Sequence, residues 1–189
     1  MKALLKIWGI IVLTLFLNSC AAIRSGKGLS KNELNAGYTA PLGGSIRYGI
    51  TDNIESRFSL AFESYNFDLY FHTNSESRSY NYGVTIGSSY LYDRKPYYFS
   101  GFTIDRKLGT NFYPYLSYIF YSDFINVYNQ FSFGTEFKLN LSNRKKIYLL
   151  IIPEVSYLTR PIEVFGLNTH VIGTINIGLS FDLLQLTNR

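Results

Sequence analysis

Cysteine, tryptophan and methionine are nearly absent from this chain of 189 residues, which contains one of each. The single cysteine, Cys20, cannot form a disulfide within the chain, so a disulfide-stapled scaffold is excluded. The two histidines, His72 and His170, lie far apart in the sequence. Without a close histidine pair or a second cysteine, we expect no metal site and no other cofactor.

Long hydrophobic runs and strong net charge are also missing. The apolar run at residues 7–17 is shorter than the ~20 residues of a membrane-spanning helix. Without Lys2 and Lys6, sixteen basic and thirteen acidic residues remain, which gives a net charge of +3. No basic cluster lies on a recognisable nucleic-acid-binding module, so nucleic acid is not expected as a partner.

The first twenty residues have the pattern of an export signal. Lys2 and Lys6 precede the apolar run at 7–17, and Leu17-Asn18-Ser19-Cys20 resembles a bacterial lipobox. The pattern predicts a lipoprotein signal peptide over 1–19 and acylation of Cys20, followed by a flexible tether over 20–33. The alternative is an ordinary signal peptide cleaved after Ala22, which would discard Cys20.

Residues 34–183 read as a series of strands separated by turns. The last run, VIGTINIGLSFDL at 171–183, places apolar residues at every second position, the period of a strand with two different faces. Similar runs recur along the chain, and no helical period follows the signal. The sequence therefore predicts an all-β fold of about ten strands (8–12), with a short tail at 184–189. The facing of residues 112–122 stays open, because aromatic residues occupy both parities there.

The polar face of these strands combines glycines with charges of both signs. Small and large residues alternate in this way where side chains fill a narrow lumen, and buried charges require partners. The apolar face would then point outward to lipid, with tyrosines such as Tyr82, Tyr113 and Tyr115 in interfacial girdles. The expected lumen charge network consists of Arg47, Glu55, Arg57, Asp68, Asp105, Lys107, Glu136, Lys138, Glu154 and Asp182.

This chain resembles a small bacterial outer-membrane β-barrel. Asn176, Gly178, Phe181 and Leu183 are similar to the C-terminal signal that the barrel-assembly machinery reads. The resemblance implies a closed, antiparallel, up-and-down transmembrane barrel, with outer-membrane lipid and that machinery as partners. An even number of strands would place both chain ends of the barrel in the periplasm. The lipid anchor that the lipobox predicts at Cys20 would then enter the inner leaflet of the outer membrane.

The expected role is structural or interaction-forming and non-enzymatic, with a lumen plugged by paired charges. One alternative is a lipid-tethered soluble periplasmic barrel that binds a small apolar ligand inside. A second alternative is a barrel enzyme acting on lipid or peptide, for which His170 near Glu163 or Asp123 at the outer rim would be the candidate base. His72 is expected near the periplasmic end. The protein partner and the oligomeric state are not specified by the sequence.

Replacement of Cys20 by alanine tests the lipobox. We expect Cys20→Ala to abolish palmitate labelling and to leave unprocessed precursor, because the thiol is the acylation site. Metabolic labelling and the mobility of the chain on a gel measure both effects. Efficient cleavage of the variant after Ala22 would contradict the prediction.

Overall fold

A computed structural model describes residues 27–40, 43–61, 64–73, 79–91, 96–142, 147–164 and 167–183. Side chains are described for these residues except 40, 61, 91 and 161–168. The predicted signal peptide, Cys20 and the tail at 184–189 lie outside the described residues. Within the described part of the chain, no helix is long and apolar enough to cross a membrane.

Ten antiparallel strands form a single sheet that closes on itself. Each strand pairs with its neighbour in sequence, and β1 pairs with β10 to complete the closed barrel. The predicted all-β, up-and-down barrel of about ten strands is confirmed. The strands are β1 (Glu33–Ala40), β2 (Gly43–Thr51), β3 (Ile54–Ala61), β4 (Ser64–His72), β5 (Tyr80–Leu91), β6 (Tyr97–Arg106), β7 (Phe112–Ser122), β8 (Val127–Ser142), β9 (Ile147–Val164) and β10 (Leu167–Asp182).

The barrel has two different ends. One end carries residues 27–32, where the described chain enters, and Asp182, where β10 ends; it is called the terminal mouth below. The opposite end, called the far end, carries the turn at 123–126. The wall is uneven in height, since β1 to β4 have 8 or 9 residues whereas β8 to β10 have 16 to 18.

The apolar face of the strands points outward. Phe133 is 60% exposed, and Leu139 and Ile177 are also exposed, whereas Arg47 and Glu55 on the other face are almost completely buried. Exposed large hydrophobic side chains far outnumber buried ones among the described residues. The barrel is thus inverted relative to a soluble protein, in which the apolar face would be inside.

The structure resolves the facing of β7, which the sequence left open. Tyr113, Tyr115 and Ile119 are buried in the lumen, and Leu116 and Tyr118 are exposed on the outside. The expectation that Tyr113 and Tyr115 belong to an interfacial girdle is therefore wrong. These two rings fill the lumen, where Gly134 opposite Tyr115 leaves the space that the ring occupies.

Glycines on the inner face make room for the largest lumen side chains. A Cβ added at Gly83 on β5 would lie 2.2 Å from ring atoms of Tyr70 on β4. Tyr70 is completely buried, so its ring has little space into which it can move. The alternation of small and large residues therefore lets a narrow barrel contain bulky side chains.

Replacement of Gly83 by alanine tests this packing. Because the added methyl would overlap the Tyr70 ring, we expect Gly83→Ala to destabilise the barrel by about 1–3 kcal/mol. Gly44→Ala on β2 is the matched control, since a Cβ there meets nothing within 4 Å. Urea unfolding of both variants measures the difference. Equal stability of the two variants would contradict the packing account.

Candidate functional site: the charged lumen

Two arginines converge on one carboxylate in the lumen. Arg47 Nε lies 2.6 Å and Arg57 Nε 2.7 Å from the same Glu55 oxygen, Oε1. Arg47 Nη2 also donates to Glu55 Oε2 at 3.2 Å. Glu136 adds a second negative charge, 3.7 Å from Arg47 Nη1. All four groups are buried, so two positive charges face two negative charges without access to bulk water. These four residues are called the ion cluster below.

The N-terminal segment closes over the ion cluster at the terminal mouth. The backbone N–H of Leu29 donates to Glu55 Oε2 at 2.8 Å, and Arg47 Nη2 donates to the carbonyl of Lys27 at 2.8 Å. Gly28 lies directly against the ring of His72. The predicted flexible tether over 20–33 therefore requires correction at residues 27–32. Backbone groups of Lys27 and Leu29 complete the hydrogen bonding of the buried charges. The backbone N–H groups of Lys31 and Asn32 donate to Asp52 and to the carbonyl of Gly49, respectively.

Arg57 is held by an aromatic ring as well as by Glu55. Its guanidinium lies 3.7 Å from the centre of the Tyr70 ring. The ring of His72 stacks against the same tyrosine, with centroids 5.2 Å apart. His72 is buried in the lumen near the terminal mouth. Its expected position at the periplasmic end stays a prediction. This stack fixes Arg57, since a cation over a ring face in a desolvated site is attracted to it.

Neutral donors contact three of the other predicted carboxylates, and the second oxygen of Asp105, Oδ2, is buried without a hydrogen-bond partner among the described residues. Asp68 accepts from Thr85 Oγ1 at 2.8 Å and Asp105 from Asn81 Nδ2 at 3.0 Å. Glu154 accepts from the hydroxyl of Tyr115 at 2.5 Å and from Ser156 at 2.8 Å. Alternation places these four donors on the inner face but does not show which carboxylate each of them contacts. The donors are Thr85, Asn81, Tyr115 and Ser156.

Three predicted members of the network lie at the terminal mouth and are only partly buried. Lys138 Nζ lies 3.2 Å from Glu33 Oε1, a partner that the sequence analysis did not include. Lys107 and Asp182 line a cavity at this mouth. The predicted charge set is thus divided between the buried lumen and the terminal mouth.

The lumen near the far end is apolar on one side. Phe99, Ile119 and Tyr121 form a buried cluster, against which Tyr97 and Tyr128 pack. The hydroxyl of Tyr121 donates to Gln130 Oε1 at 3.0 Å, which connects this cluster to the polar residues below it. Ion-paired charges fill one part of the lumen and aromatic packing fills another.

The far end carries the groups considered for catalysis. His170 Nδ1 is 2.8 Å from the carbonyl oxygen of Leu158, and its ring stacks on Tyr157. The side chain of Glu163 lies outside the described residues. Asp123 accepts hydrogen bonds from the backbone and side chain of Asn126, which lower the pKa of its carboxyl to about 2. Asp123 is thus an acceptor within its own turn.

Metal ligands do not cluster in the part of the chain that the structure describes. No group of three or more histidine, cysteine, aspartate or glutamate residues there could hold a metal ion. The chemistry that the described lumen offers is ion pairing and hydrogen bonding.

Comparisons with known proteins add little to this geometry. No family model matches the sequence, and no curated protein matches it. Among solved structures, the chain is similar to one described as "De novo design of transmembrane beta-barrels", with 11% sequence identity and a TM-score of 0.36. The similarity covers 82% of this chain and 98% of that chain. A likeness this weak carries no argument about function.

Removal of Glu55 tests the ion cluster. We expect Glu55→Leu to destabilise the barrel by on the order of 3–5 kcal/mol, because it leaves two arginines buried without their shared carboxylate. The quadruple variant Arg47→Met, Glu55→Leu, Arg57→Met, Glu136→Gln should cost less, since it removes all four charges of the ion cluster together. Urea unfolding in the same lipid measures both variants. A quadruple variant less stable than the single variant would contradict the cluster's role.

Proposed function

We propose that this chain is a non-enzymatic outer-membrane β-barrel lipoprotein whose plugged lumen gives it a structural or interaction role. The observation that carries the proposal is the inverted barrel, with an apolar outer surface and an ion cluster inside. A soluble protein gains nothing from such an outer surface, whereas a bilayer requires it. The closure of β1 on β10 supports the same conclusion, because a sheet in hydrocarbon cannot leave an edge unpaired.

The alternative of a soluble barrel with an apolar ligand inside is not favoured. Such a barrel would turn its apolar face inward around the ligand. In this chain Arg47, Glu55 and Arg57 occupy the lumen, and Phe133 and Ile177 point outward. Burial of an apolar molecule beside the ion cluster would remove water without supplying partners for the charges.

The N-terminal segment favours an anchor beside the terminal mouth. Residues 27–32 are hydrogen-bonded into this mouth, and the seven residue steps from Cys20 to Lys27 span at most about 25 Å when extended. An acyl chain on Cys20 would then enter the leaflet that surrounds the same mouth. By the resemblance to outer-membrane barrels this is the periplasmic leaflet, and the barrel-assembly machinery would insert the chain.

An enzymatic role is not part of the proposal. His170 is the candidate base at the far end, and its Nδ1 lies within hydrogen-bond distance of the Leu158 carbonyl. Asp123 accepts from the backbone N–H groups of Ile125 and Asn126, so it is engaged in the turn. The proposal therefore rests on the barrel wall and its plug.

Replacement of a single outward residue tests insertion. Ile177 is 49% exposed on the outer face of β10. We expect Ile177→Arg to destabilise the barrel in lipid by about 2–4 kcal/mol, the cost of a charge facing hydrocarbon near the bilayer midplane. Ile177→Leu is the control and should have little effect. Similar unfolding midpoints for both variants in lipid vesicles would mean that Ile177 does not face lipid.

Single-channel recording tests the plug. Because Arg47, Tyr70 and Ile119 are buried across the lumen, we expect no stable, large conductance from the purified chain in planar bilayers. The Glu55→Leu variant serves as the comparison, since loosening of the ion cluster should increase transient openings. Steady nanosiemens-scale steps from the unmodified chain would contradict the plug and favour a porin.

A further inference from the structure

The terminal mouth contains a cavity that is separate from the ion cluster and has no part in closing the barrel wall. It has a volume of about 660 Å³ and lies between the N-terminal segment and the ends of β6 to β10 at this mouth. Glu136 of the ion cluster lies two residues from Lys138 on the same inward face of β8, so the buried charges form the layer beneath. The charged residues that line the cavity are Lys27, Lys31, Lys107, Lys138, Glu33 and Asp182.

The walls of this cavity carry more positive than negative charge. Four ammonium groups face two carboxylates, which leaves an excess of two positive charges. Glu33 already accepts from Lys138 Nζ at 3.2 Å, from the Ser30 backbone N–H at 3.1 Å and from the hydroxyl of Ser180. Among the described residues, no carboxylate lies within 4.0 Å of the Lys107 ammonium. A concave site with one dominant sign concentrates ions of the opposite sign.

Two of the lysines are held in place by tyrosine rings. Lys27 Nζ lies 4.8 Å from the ring centre of Tyr113 on β7, and Lys138 Nζ lies 3.9 Å from that of Tyr148 on β9. The hydroxyl of Tyr113 donates to the carbonyl of Thr110 at 3.0 Å, which fixes its ring. Ammonium groups that are already oriented lose less entropy when an anion binds.

We propose that this cavity is a binding site for a small multivalent anion that carries phosphate groups. Lysine ammonium groups act as point charges toward phosphate, and the cavity has the size of a small-molecule site, about 300–1,000 Å³. The ion cluster closes its inner side, so the anion enters and leaves through the terminal mouth. The site is formed by residues of the terminal mouth, and anion binding would be a function in addition to the proposed structural role. The phosphate belongs either to a soluble compound or to a lipid headgroup at the rim.

Titration with inorganic pyrophosphate tests the site. The full chain, purified in an uncharged maltoside detergent, is titrated at low ionic strength by isothermal calorimetry. We expect saturable binding that weakens on the order of tenfold in Lys107→Gln, which removes one charge-assisted contact. Arg106→Gln is the matched control, because this neighbouring side chain points outward over the Tyr80 ring. It removes the same charge from the same end of the barrel and should leave the affinity unchanged.

A lipid arm separates the two sources of phosphate. The chain is placed in nanodiscs of phosphatidylcholine alone or with phosphatidylglycerol, and pyrophosphate is titrated again. A lower affinity for pyrophosphate in the anionic nanodiscs identifies a lipid headgroup as the occupant, provided that Lys107→Gln abolishes the difference between the two kinds of nanodisc. Equal affinity in both identifies a soluble phosphate compound. No saturable binding by the folded chain, or an equal loss in Lys107→Gln and Arg106→Gln, overturns the proposal.

Discussion

The rest of this barrel depends on the burial of one carboxylate between two arginines. Glu55 shares its oxygens among Arg47, Arg57 and the backbone of Leu29. Such a cluster is costly to desolvate and is retained only where every charge has a partner. The surrounding features satisfy this requirement. The ring of Tyr70 covers Arg57, a glycine makes room for that ring, and the N-terminal segment supplies the last hydrogen bonds.

The lumen is filled by two kinds of packing with different consequences. Ion pairs toward the terminal mouth require partners at fixed distances, so they define one arrangement of the strands that carry them. The aromatic cluster of Phe99, Ile119 and Tyr121 toward the far end fills volume without that demand. A barrel filled by both kinds of packing leaves a polar cavity at the terminal mouth. The two ends of the barrel therefore differ in chemistry.

Most of the wall could be predicted from the sequence because alternation has a period of two. Within β2, assigning Ile46 to the outer face places Arg47 on the inner face, and within β3, Phe58 does the same for Arg57. The facing of β7 could not be predicted, because tyrosine and phenylalanine occur on both of its faces. The contacts of Leu29 and Gly28 also could not be predicted, since a short polar segment rich in glycine has the composition of a flexible tether. Lysine–tyrosine pairs at the terminal mouth join β7 to the N-terminal segment and β9 to β8. Alternation within a strand does not predict which side chains of different segments meet.

Depth-resolved fluorescence tests the inverted barrel most directly. Trp8 is the single tryptophan and lies within the predicted signal peptide. A chain that begins at Cys20 therefore contains no native tryptophan, and its tryptophan fluorescence comes only from an introduced residue. Phe102 and Phe99 lie three residues apart on β6, and their exposed fractions are 45% and 3%. In vesicles with brominated acyl chains, the account predicts strong quenching of Phe102→Trp and weak quenching of Phe99→Trp. Equal quenching, or stronger quenching at position 99, would contradict it.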